Sequence, residues 1–370
     1  MVAEANSLMG IEEKLRELEE EMARTQKNKA TEYHIGLLKA KIAKLKREII
    51  APKKSGIRTG GFDVKKSGDA TVVFIGLPSV GKSTLLNALT GAKSKTASYA
   101  FTTLTCIPGV MEYNGAKIQL LDLPGIIVGA REGKGRGKEV LAVARNADLV
   151  LILLDVFQPG ILANIKDELA GIGIRLDEEP PKIYITKKLR GGVEINSTVP
   201  LTKLNERMIT GVINEYGMHN ASVVFREDAT VDRLIDVLAG NRKYNHSLVV
   251  LNKVDMVSEQ YLKAIKFDYV PVSAEKGQNV EELKKAIFDG LRMMRVYTKP
   301  RMDVADLKEP MMMRTGATIE DACNRLHRDL ARDFKYALVW GKSAKFPGQK
   351  VGISHVLQEG DIFSIIKKQG

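Results

Sequence analysis

The segment Gly76-Leu77-Pro78-Ser79-Val80-Gly81-Lys82-Ser83 constrains this chain more than any other. The apolar run Thr71-Val72-Val73-Phe74-Ile75 precedes it and Thr84-Leu85-Leu86-Asn87-Ala88-Leu89 follows it. A buried strand, a tight loop and a helix are predicted in that order. The glycines let backbone N–H groups converge on phosphate oxygens, Lys82 reaches the β- and γ-phosphates, and the Ser83 hydroxyl is placed to ligate Mg²⁺. Gly76, Pro78, Ser79, Val80, Gly81, Lys82, Ser83 and Thr84 are therefore the candidate phosphate-binding residues. A strand feeding a helix through such a loop implies an α/β fold, with a mostly parallel sheet and helices on both faces.

Three more motifs follow predicted strands. Asp122-Leu123-Pro124-Gly125 ends the run Ile118-Gln119-Leu120-Leu121; Asp122 is suited to hold Mg²⁺ through water and Gly125 to approach the γ-phosphate. Asn252-Lys253-Val254-Asp255 follows Ser247-Leu248-Val249-Val250-Leu251. A carboxylate at Asp255 accepts from guanine N1–H and the 2-amino group together, whereas adenine offers neither donor and leaves the carboxylate unpaired. Ser273-Ala274-Glu275-Lys276-Gly277 follows Tyr269-Val270-Pro271-Val272 and places a backbone N–H near Ala274 against guanine O6. The nucleotide is thus expected to be GTP or GDP.

Between the first two motifs lies Tyr99-Ala100-Phe101-Thr102-Thr103-Leu104-Thr105. Thr103 is the candidate switch residue and third Mg²⁺ ligand, with Ser83 and Asp122, and joins Lys82 and Gly125 in the expected catalytic set. A β-branched run entering a strand from Cys106 to Met111 fits the same residues. Gly125 is followed by Ile126, where many GTPases carry a water-orienting glutamine. Slow intrinsic hydrolysis is expected, aided by a monovalent cation such as potassium, a regulatory protein partner or a reorganised switch.

The chain resembles the developmentally regulated GTP-binding proteins, a branch of the Obg-related GTPases involved in translation. Besides the nucleotide motifs, the resemblance rests on Asp122-Leu123-Pro124-Gly125-Ile126-Ile127-Val128-Gly129-Ala130, on the glycine-rich Arg131 to Gly137, and on Phe346-Pro347-Gly348-Gln349-Lys350-Val351-Gly352, which is typical of a TGS domain. The chain lacks a glycine-rich Obg-type N-terminal domain, and Asp255 differs from the glutamate of ATP-preferring relatives. The resemblance implies a translation-linked GTPase docking on ribosomes or RNA. Related GTPases bind potassium through a phosphate-loop asparagine; here Ser79 stands in that loop.

Four parts are expected: a helical hairpin over 1–58, a GTPase domain over 67–173 and 243–292, an insert over 174–242, and a TGS domain over 295–370. Ile11, Leu15, Leu18 and Met22 space a first, acidic helix; Ile35, Leu38, Ile42, Leu45 and Ile49 form a heptad seam on a second, basic one. The insert reads ββαβα and resembles an S5-domain-2-like fold. The C-terminal part reads as a β-grasp around one helix, Ile319 to Phe334, offering no nucleophile paired with a base.

The formal net charge of +12 favours phosphate-rich partners. Residues 27–58 hold ten Lys or Arg against two Glu, and Lys187, Lys188 and Arg190 crowd one turn. These are candidate RNA edges, or solvated faces neutralised by neighbouring acids. No DNA specificity is indicated. Met1 to Gly10 lacks an apolar signal core and no run approaches the roughly 18 residues of a membrane span, so the expected location is the cytoplasm. A guanine-nucleotide-sensing adaptor with incidental turnover is the alternative to a GTPase switch.

Overall fold

The computed structural model describes residues 2–26, 28–50, 68–90, 107–123, 143–144, 146–299, 307 and 310–368. In chain order α1 (Val2–Arg24) and α2 (Glu32–Ile50) precede β1 (Ala70–Ile75), α3 (Lys82–Thr90), β2 (Ile107–Tyr113), β3 (Ala116–Asp122), β4 (Leu149–Asp155) and α4 (Leu162–Gly171). Next come β5 (Ile174–Leu176), β6 (Ile183–Lys187), β7 (Val193–Ser197), α5 (Glu206–Glu215), β8 (Ala221–Phe225), α6 (Val231–Ala239) and β9 (Lys243–Asn252). The chain continues through α7 (Glu259–Lys263), β10 (Val270–Val272), α8 (Val280–Gly290), β11 (Met293–Thr298), β12 (Met311–Arg314), α9 (Ile319–Leu326), α10 (Arg328–Arg332), β13 (Phe334–Trp340), β14 (Gln349–Val351) and β15 (Ile362–Lys367).

One compact unit comprises Met1–Phe62, Val128–Arg145 and Asn164–Asn245. Leu15 and Ile42 are the buried centre of the α1–α2 seam, with Ile11, Leu18, Met22 and Leu45 packed around them. The other face of α2 is also buried: Ala40 is fully enclosed in a core with Met208, Ile209, Val212 and Ile213 of α5 and Leu234, Ile235 and Leu238 of α6. In the insert's sheet β8 lies between β6, antiparallel, and β7, parallel. The two strands flanking the Arg190–Gly192 turn therefore do not pair with each other.

The other unit comprises Asp63–Ile127, Asn146–Ala163 and His246–Gly370. Every residue of β1 is buried, as an unbroken apolar run demands when a strand is covered on both faces. The strand order is β10-β9-β4-β1-β3-β2. β1 runs parallel to β3 and β4, and only the edge strand β2 is antiparallel to its neighbour. Phosphate-binding loops of open parallel sheets lie at the carboxyl ends of the strands, and the motifs leave β1, β3 and β9 on that side.

A second sheet, β12-β11-β15-β13-β14, packs Val296, Ala337, Val339 and Phe363 against Ile319, Ala322 and Cys323 of α9. Met312 of β12 is buried instead among the residues of the first sheet's core. The predicted single helix from Ile319 to Phe334 is two helices: His327 is extended (φ −164°, ψ 137°) and caps α10, its Nδ1 accepting from Asp329 N at 3.3 Å. Phe334 begins β13 rather than ending a helix. No described helix is long and apolar enough to cross a membrane.

Candidate nucleotide site

The phosphate loop owes its shape to two glycines. A Cβ at Gly76 would stand 2.5 Å from the Leu153 carbonyl oxygen, and Gly81 (φ +91°) would press a Cβ to 2.4 Å from Asn252 Nδ2. Ser79 also adopts a left-handed conformation, φ 65°. Val80 is buried in the core of the sheet, while Pro78, Ser79 and Thr84 are exposed.

Lys82 is the first residue of α3 and is buried. Its ammonium donates to the carbonyls of Gly76 (3.1 Å) and Leu77 (2.9 Å). Burial lowers its pKa, and the negative charge of Asp122 opposes that effect. The next residue of α3, Ser83, has its Oγ 3.2 Å from Asp122 Oδ2. Burial raises the Asp122 pKa, against the opposing pull of Lys82 and the Ser83 hydrogen bond, and its Oδ1 is buried with no hydrogen-bond partner among the described residues. A hard cation suits this donor set, a carboxylate oxygen without a partner among the described residues beside a hydroxyl. Thr103 and Gly125 lie outside the described residues.

The base-side loops are tied to the phosphate loop by side chains. Asn252 Nδ2 donates to Val80 O at 2.8 Å and its Oδ1 accepts from Ala274 N at 3.0 Å, so one buried amide joins three motifs. Lys253 takes a left-handed backbone (φ 65°) and donates to Ser79 O at 3.2 Å and Asp155 Oδ2 at 2.5 Å. Both residues read from sequence as nucleotide contacts thus serve as ties in this geometry. Asp255 pairs with Lys276 Nζ at 3.0 Å, and hydrogen bonds from Ser273 and Lys276 hold its pKa below the usual range. Ser273 is buried; Glu275 is exposed.

Asp155 and Lys276 were not legible as site residues. Asp155 is the last residue of β4, placed beside Asn252 in the parallel register, and it accepts from Phe157 N at 2.9 Å. Its only sequence signal is an acid closing a run of apolar residues.

The candidate RNA edges are changed by their partners. On α2, Lys39 meets Asp232 (2.7 Å), Lys44 donates to Glu215 O (2.9 Å) and Lys46 meets Glu19 (2.7 Å). Those three lysines have acidic partners within their own unit, while Lys41 and Arg47 stay exposed. At the insert's turn Lys188 pairs with Glu194, leaving Lys187 and Arg190 exposed. The C-terminal part does juxtapose a hydroxyl and an imidazole, contrary to expectation: Ser343 Oγ and His355 Nε2 are 2.9 Å apart. Asp361 accepts from the Ser343 backbone rather than from the imidazole, so the pair lacks an orienting carboxylate.

The sequence matches the family described as 50S ribosome-binding GTPase over residues 71–188, the C-terminal region of the MMR_HSR1 domain over 190–293, and the TGS domain over 294–367. Among its relatives are a GTP-binding protein of Methanocaldococcus jannaschii, 54% identical over 98% of this chain and 94% of the relative, and developmentally-regulated G-protein 2 of Arabidopsis thaliana, 50% identical over 98% and 92%. Developmentally-regulated GTP-binding protein 2 of Homo sapiens is 49% identical over 97% of this chain and 100% of its own length. With the phosphate loop, the Asp255 base loop and relatives of this identity along nearly its whole length, the chain belongs to the developmentally regulated GTP-binding proteins, GTPases of the Obg-like group.

Proposed function

We propose that this protein hydrolyses GTP to GDP and phosphate, and that the nucleotide state switches its docking on ribosomes or RNA in translation. The observation carrying the hydrolytic half is the Lys82–Ser83–Asp122 constellation. An ammonium, a hydroxyl and an under-satisfied carboxylate converge at the start of a helix, where phosphate is favoured by the free N–H groups.

Ser83 and, through water, Asp122 would hold Mg²⁺, which when bound neutralises charge on the phosphate oxygens. Lys82 leaves the Gly76 and Leu77 carbonyls for phosphate oxygens; its buried stem keeps that movement short. Asp255 exchanges Lys276 for the two guanine donors, while Asn252 and Lys253 keep the base loop in register with the phosphate loop. Thr103 is the proposed switch ligand and Gly125 the proposed γ-phosphate neighbour. Ile126 contributes no polar group to the attacking water, so intrinsic turnover is slow and a partner or a monovalent cation accelerates it. Ser79 weakens the case for direct potassium coordination.

The docking half is supported by the net charge and by the TGS match, and by the description of the matching family as ribosome-binding. Co-sedimentation with ribosomes over a salt series, comparing GDP with a non-hydrolysable GTP analogue, tests it. The proposal expects more protein in the pellet with the analogue and a decline as salt rises. Sedimentation indifferent to both would leave a GTPase with another client.

A further inference from the structure

The face of the C-terminal sheet opposite its core carries half-buried aromatic rings roofed by lysines. Ala337 and Val339 of β13 point into the core, so Tyr336, Leu338 and Trp340 alternate onto the opposite face. There Lys299 Nζ lies 4.8 Å from the Trp340 ring centroid and Lys350 Nζ 4.3 Å from that of Tyr336. β14 places Lys350 beside Leu338, and Gly348 brings the Phe346-Pro347-Gly348 turn against the indole, where an added Cβ would be 3.3 Å from Trp340 Nε1. Phe346 itself is 60% exposed. The segment 334–352 contains four lysines and no acidic residue, while nearby Asp361 is fully buried and turned to the backbone of Ser343 and Gln358.

We propose that this face is a stacking platform for single-stranded RNA, with bases on Trp340 and Tyr336 and the phosphates between them neutralised by Lys299 and Lys350. Alternating π-faces and ammonium groups match the alternation of base and phosphate along a strand. Each ammonium now shields a ring through a cation–π contact, and a base that stacks on the ring displaces it toward the phosphate it must meet. A duplex keeps its bases paired and cannot present their faces. The platform specifies the docking half of the proposed function and does not depend on the chemistry at Lys82.

Trp340 is the chain's one tryptophan, so its emission reports the platform directly. Titrating the full-length protein with an unstructured single-stranded RNA of about 12 nucleotides should quench that emission at low salt, and the blunt duplex of the same sequence should not. By anisotropy, Trp340→Ala and Tyr336→Ala should each weaken binding about tenfold. Trp340→Phe should retain most of the affinity, and Lys299→Gln with Lys350→Gln should flatten the salt dependence. Thermal melts of each variant identify loss by unfolding, and the lysine pair and Trp340→Phe read out the platform with the sheet intact. RNA binding with unchanged emission overturns the platform, as does affinity unaltered in Trp340→Ala, or quenching by an oligoglutamate peptide but not by RNA. GTP hydrolysis followed on the same samples separates the readings. Quenching with no hydrolysis, even after ribosomes are added, leaves the platform standing and the GTPase reading refuted; hydrolysis with none of the RNA effects does the reverse.

Discussion

Asp255 and Asp122 are two carboxylates of one site pushed in opposite directions. Asp255 is stabilised as the anion by Ser273 and Lys276, which suits the proposed role of accepting two guanine donors. GTP should compete for the site at least about 100-fold better than ATP, because adenine leaves a desolvated carboxylate unpaired. Asp255→Asn should shift that preference toward xanthine nucleotides, as displacement of a labelled GDP analogue would show. Asp122 is buried, its pKa is raised, and one of its oxygens has no partner among the described residues. Since the folded state holds its proton more tightly than the unfolded state, the stability it contributes is present at acidic pH and is lost as pH rises through the folded pKa. Asp122→Asn should therefore raise the melting temperature of the nucleotide-free protein at neutral pH by about 1–3 °C, with the gain shrinking on acidification. The same change should weaken Mg²⁺-dependent GTP binding. A melting temperature unchanged or lowered at neutral pH would contradict this balance.

At the scale of elements, what could be read from the sequence was what local pattern determines. The strand–loop–helix of β1 and α3 follows from five apolar residues, a buried threonine and two sterically required glycines. The α1–α2 seam follows from a heptad. The His327 break escaped because the apolar stripe of Ala322, Cys323 and Leu330 continues through it at helical spacing, while the interruption comes from one extended residue that recaps the chain. Equally hidden was a charge cluster formed by residues distant in sequence. Asp236 of α6 is 4% exposed and accepts from Arg175 of β5 (2.7 and 2.8 Å) and from Arg242 (2.8 Å), with Tyr244 at 3.4 Å. Burial pushes the Tyr244 hydroxyl up to about 12. Asp236→Ala should cost about 3–5 kcal/mol, since it strands two guanidinium groups in a largely buried place. Chemical denaturation reads this directly, and a loss below about 1 kcal/mol would show that water reaches the cluster.

For the molecule as a whole, the sequence carried the chemistry further than the partners. The strand, loop and helix around residues 76–83 were legible because a short segment with two glycines sets its own backbone shape. The basic edges were not, because a lysine's partner is set by packing: Lys39, Lys44 and Lys46 are paired with Asp232, Glu215 and Glu19 of other helices. Residues such as Tyr336 and Trp340 gained significance only when register placed them on one face with Lys299 and Lys350.

Single-turnover hydrolysis of γ-labelled GTP, with Mg²⁺ and with EDTA, and with or without ribosomes, bears most directly on whether this chain is a GTPase switch. Wild-type protein should release phosphate slowly with Mg²⁺ and faster with ribosomes. Lys82→Ala and Ser83→Ala should reduce release at least about 100-fold, and ATP should not substitute. Phosphate release equal in wild type and Lys82→Ala, or no release from bound GTP under any of these conditions, would contradict it.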